Sequence, residues 1–128
     1  MKKTLIALLC AVCLVATASD LIATRAIGTT GLVASRVVSK VPCKLYAAMG
    51  YNASVSTQYL FVFESGLTPT NGQSGKLGPF PVSGNQFYSV DLSTYGADLD
   101  AVTIGVSTTD NVFTNCSTNV TIQAILGR

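Results

Sequence analysis

The chain has 128 residues and no histidine. That removes the usual general base near neutral pH, the Ser-His-Asp and Cys-His arrangements, and the commonest transition-metal ligand. Few side chains with chemistry are left. Asp98 and Asp100 stand two apart, so in an extended segment they would project from one face, and a pair of carboxylates can run glycoside hydrolysis. Beside a loop, such acids more often solvate a strand end or, together with Asp110, hold a calcium ion. No glycine-rich stretch opens a helix, so a phosphate cradle is not expected. Cys43 and Cys116 are too few for a metal site without histidine. The chain therefore reads as a non-enzyme, with no catalytic, cofactor-binding or metal-binding residues, that acts through its surface.

The cysteines matter in another way. Lys2-Lys3, an apolar stretch from Leu5 to Ala16, and Ala16-Thr17-Ala18 form the three parts of a secretory signal, with cleavage expected after Ala18. The stretch is short for a transmembrane helix, and membrane contact is expected only through this segment if it stays uncleaved. Export would place Cys43 and Cys116 in an oxidising compartment, where two cysteines in a small domain are usually joined. That pair is the disulfide candidate, and closing the loop would stabilise by about 4 kcal/mol on the chain-entropy model.

The elements that carry these residues follow a period of two. Leu45, Ala47, Met49 and Tyr51 alternate with Lys44, Tyr46, Ala48 and Gly50, a pattern that predicts a strand with one face buried. Val102, Ile104 and Val106 alternate with Thr103, Gly105 and Ser107, and Val120, Ile122, Ala124 and Leu126 alternate with Thr121 and Gln123. Tyr88, Val90 and Leu92 form a further set, and Leu32 to Val41 is rich in β-branched residues. Tyr59 to Phe63 is apolar on both faces. It predicts either a central strand or an aromatic ridge of Tyr59, Phe61 and Phe63, which are the candidates for an interaction surface. Pro69, Asn71-Gly72, Ser74-Gly75, Gly78-Pro79 and Ser83-Gly84-Asn85 supply the turns between strands.

These signals predict an all-β chain: a small β-sandwich of six or seven antiparallel strands behind an N-terminal hydrophobic, signal-like helix or segment. Residues 1–18 read as the leader, 19–31 as an arm or linker, and 32–128 as the sandwich. Only 11% of residues are charged against 48% hydrophobic, so the surface has few groups to keep it wet. Of the eight basic residues, Lys2 and Lys3 lie in the leader, and the remaining six balance six acids. No basic stripe is available for nucleic acid. The low charge suits either a chain packed against copies of itself or a secreted domain coated with Ser, Thr and Asn. Without tryptophan, a sugar-binding platform would have to use Tyr46, Tyr51, Tyr59, Tyr88 or Tyr95.

The run Lys44-Leu45-Tyr46, then Gly50-Tyr51-Asn52-Ala53-Ser54, then Thr57 to Ser65 resembles small β-rich virion structural proteins of tailed bacteriophages. Pro79-Phe80-Pro81-Val82, Phe87 to Leu92 and Ser107-Thr108-Thr109 extend the likeness over roughly Lys40 to Leu126. The resemblance implies a capsid-decorating, fibre or tail-associated component, a homo-oligomer that also contacts other virion proteins and resides in the virion. The export-like leader departs from that pattern. The alternative is a secreted or periplasmic β-sandwich binding module, glycan-binding in one version.

Overall fold

The computed structural model describes residues 25–28, 31–92, 95–114 and 119–127. The leader and most of the arm lie outside these. The described residues are all-β, with no helix and so none long and apolar enough to cross a membrane. Among the described residues there are nine strands, where six or seven were expected for the chain. They are β1 (Arg25–Gly28), β2 (Ser35–Ser39), β3 (Cys43–Asn52), β4 (Gln58–Phe63), β5 (Leu77–Val82), β6 (Gln86–Asp91), β7 (Ala97–Leu99), β8 (Val102–Ser107) and β9 (Gln123–Gly127). The extra strands are β1, in the expected arm, β7, in the short segment Ala97–Leu99, and β5, which runs through Gly78-Pro79 where a turn was expected. β5 lies at the edge of its sheet, where the missing proline N–H is tolerated.

The strands form two antiparallel sheets, consistent with the expected sandwich. One has the order β1-β9-β3-β6, with β7 also paired to β3, and the other has the order β2-β8-β4-β5. Their facing sides share one core. Val38, Leu60, Val62, Val102, Ile104 and Val106 come from the four-stranded sheet, and Leu45, Ala48, Ala124 and Leu126 from the five-stranded one, with Val120 and Ile122 just before β9. The alternation of Val120, Ile122, Ala124 and Leu126 holds, all four being buried.

The alternation of β3 does not hold throughout. Against β9 the register shifts between Leu45 and Ala47, the mark of a β-bulge, so the side-chain order slips by one. Leu45 and Ala48 face the core, and Met49 and Tyr51, expected beside Leu45, are turned to the opposite face. Gly50 then shares the inner side with Ala48. A side chain there would overlap the Thr121 carbonyl and the Tyr88 hydroxyl. The absent side chain lets Tyr88 reach across β3 and donate its hydroxyl to Thr121 O at 2.8 Å, which ties β6 to the chain leading into β9.

Asn52, at the end of β3, is fully buried and closes this end of the sandwich. Its Nδ2 donates to the carbonyls of Ser56, Val82 and Ser83 at 3.1, 3.1 and 3.2 Å, and its Oδ1 accepts from Ser54 N at 2.9 Å. Such a side chain substitutes for backbone partners that the turn cannot supply.

Candidate functional site

Of the acids singled out from sequence, Asp98 and Asp100 line one hollow, and Asp110 is not among its lining residues. Asp98 pairs with Lys44 at 3.4 Å and its side chain is largely exposed. Asp100 turns its backbone N–H to Glu64 Oε1 at 3.3 Å, and Glu64 pairs with Lys76 at 2.9 Å. The Lys76 hydrogen bond, and after it the Asp100 N–H, holds the Glu64 carboxyl below its ordinary range. Among the described residues no three Asp, Glu or Cys side chains are grouped as a metal site would need. Pro42, Cys43, Lys44, Asp98, Leu99 and Asp100 line a hollow of about 240 Å³ at this salt-bridged strand end.

Tyr59, Phe61 and Phe63 are placed together on the outer side of β4, but two of the three are not surface. Phe61 and Phe63 are each only 2% exposed, and Tyr59 is half-buried beside them. The correction has a physical cause: the chain covers its own ridge. Phe113, from the turn after β8, lies edge-on to Phe63 with ring centres 5.5 Å apart. Its N–H donates to Gln73 O and its carbonyl accepts from Gly72 N, both at 2.9 Å. The Ser107 hydroxyl anchors the same turn by accepting from Thr109 N and Thr114 N and donating to Val112 O. Gly105 leaves the space the Phe113 ring fills, since a Cβ there would lie 2.7 Å from it.

Cys43 is half-buried with a free thiol at the start of β3. Cys116, its expected disulfide partner, lies outside the described residues. Asn119, the first described residue after it, accepts a hydrogen bond from Ala53 N, just past the far end of β3. Asn52, first residue of an Asn-Ala-Ser glycosylation match, is buried and engaged, so it is closed to glycosylation in the folded chain.

The surface the residue pattern did not reveal is the outer face of the five-stranded sheet. The bulge in β3 delivers Met49 and Tyr51 to it. Phe87 of β6 stands in register with Tyr51, their rings 5.0 Å apart and tilted by 58°, and Phe87 is 84% exposed. Met49 has Ser89 on one side and Gln123 on the other; Ala47 has Asp91 and Ile125. A shallow hollow of about 350 Å³ runs between Met49, Phe87, Ser89, Thr121 and Gln123. One sequence signal was available for Phe87. With Tyr88 and Val90 inward, Phe87 had to share the solvent side with Ser89 and Asp91. Of the five tyrosines considered for a platform, only Tyr51 is part of this ring pair; Tyr88 is turned inward and Tyr95 is exposed elsewhere.

No protein-family model matches this chain, and no curated protein or solved structure is significantly similar to it.

Proposed function

We propose that this chain is a non-catalytic structural component of a bacteriophage particle, working as a β-sandwich that contacts copies of itself and neighbouring virion proteins. The observation that carries the reading is the contrast between the two outer faces. One sheet's aromatic ridge is sealed by Phe113, while the other sheet holds an open ring pair, Tyr51 and Phe87, beside Met49 and Ile125. An exposed aromatic side chain of this kind on a chain with so little charge suits a contact surface. The resemblance over Lys40 to Leu126 supplies the setting, and in it the apolar leader serves as a docking peptide. Peptide mass spectrometry of purified particles from the lysate of the bacterium carrying the gene should recover this chain, including peptides from its first eighteen residues. Recovery only from the culture medium, as a soluble form beginning at Ser19, would overturn the reading.

One observation favours the secreted glycan-binding alternative. Ser89, Thr121 and Gln123 place hydroxyl and amide groups around the hollow beside Phe87, the mix of ring face and neutral donors that a sugar requires. On that reading the full chain binds an immobilised oligosaccharide series, and Phe87→Ala abolishes the binding.

A further inference from the structure

We propose that a second copy of this chain docks on the outer face of the five-stranded sheet, face to face about a two-fold axis, with Phe87, Tyr51, Met49 and Ile125 at the contact. This rests on the reading of the chain as a self-associating particle component and names the surface and the partner that reading needs.

Area is the first argument. β1, β9, β3 and β6 have four, five, ten and six residues, which at about 3.3 Å per residue and about 4.8 Å between strands give a face on the order of 400 Å² per copy. A pair then buries about 800 Å², the size of a weak, concentration-dependent contact. Shape is the second. Phe87 is the most exposed knob, whereas at the other end of the face the Tyr46 ring packs against Gly127 and Ala47 is only 6% exposed, so the contact centres on the Phe87 end.

Charge is the third. In a two-fold contact each patch meets its own kind, so uncompensated charge would repel itself. One row across the sheet holds Gly28, Gln123, Met49 and Ser89, and the next holds Thr121, Tyr51 and Phe87; none is charged. Lys44 at one end is neutralised by Asp98, and Asp91 sits at the β6 rim. A nucleic acid or other charged ligand finds nothing to pair with in these rows. The open edge of the other sheet is less suited to joining copies, because Pro79 and Pro81 remove two donors from β5.

Sedimentation velocity of the full chain over a range of concentrations tests this. The wild type should be a dimer whose dissociation constant is insensitive to salt. Phe87→Asp should weaken it at least about 30-fold, as should Gln123→Arg on the same face, while Val55→Asp, exposed at the Asn52 end, should leave it unchanged. Thermal unfolding of each variant reports whether it is folded; if Phe87→Asp is not, Gln123→Arg decides. A monomeric wild type, or a dimer indifferent to both variants, overturns the proposal. Such a result with the chain still present in particles rejects the surface and leaves the particle reading standing. Absence from particles rejects that reading itself.

Discussion

Asn52 shows what a single buried amide can hold. Its three donated bonds go to carbonyls that come from two different turns, so removing it strands acceptors where water has little access. Asn52→Ala should destabilise by about 3 kcal/mol, read as a lower midpoint in chemical denaturation with unchanged slope. Tyr88 gives a pH dependence of definite sign. Burial raises its pKa well above the ordinary 10.0, so the folded state holds its proton more tightly than the unfolded chain does. Its contribution is therefore intact below about pH 10 and is lost progressively as the pH rises above that value. Tyr88→Phe keeps the ring and removes the ionisation. The variant should lose the hydrogen bond to Thr121, about 1 kcal/mol at neutral pH, and show a flatter decline of stability in alkali. Neither role was legible from residue type: Asn52 sits in a glycosylation match, and Tyr88 is one tyrosine among five.

At the scale of elements, the alternating segments around Val102, Val120 and Tyr88 were legible because each repeats a two-residue period without interruption, and the fold follows them. β3 was legible as a strand but not as a face. A bulge inserts one residue without changing composition, so nothing in Leu45 to Tyr51 announces that Met49 and Tyr51 change sides. The doubly apolar β4 left two options open, and the residue that decides between them, Phe113, is distant in sequence and lies in a turn. Its role is open to a direct check. Phe113→Ala removes the lid of the Phe61–Phe63 cluster and should destabilise by about 3 to 4 kcal/mol. Thermal unfolding would read the loss, and the variant should bind a hydrophobic dye that the wild type excludes.

For the whole molecule, the two sheets differ in what lies behind them. One is backed by the turn that carries Phe113; the other presents Phe87, 84% exposed, in register with Tyr51.

Hydroxyl-radical footprinting at increasing protein concentration probes both faces at once. Phe61, Phe63 and Phe113 should resist oxidation at every concentration, while Phe87 and Met49 should be oxidised in dilute solution and become protected as copies associate. Ready oxidation of Phe61 or Phe63 at any concentration, or reactivity of Phe87 that stays constant while the chain associates, would contradict the assignment of the two faces.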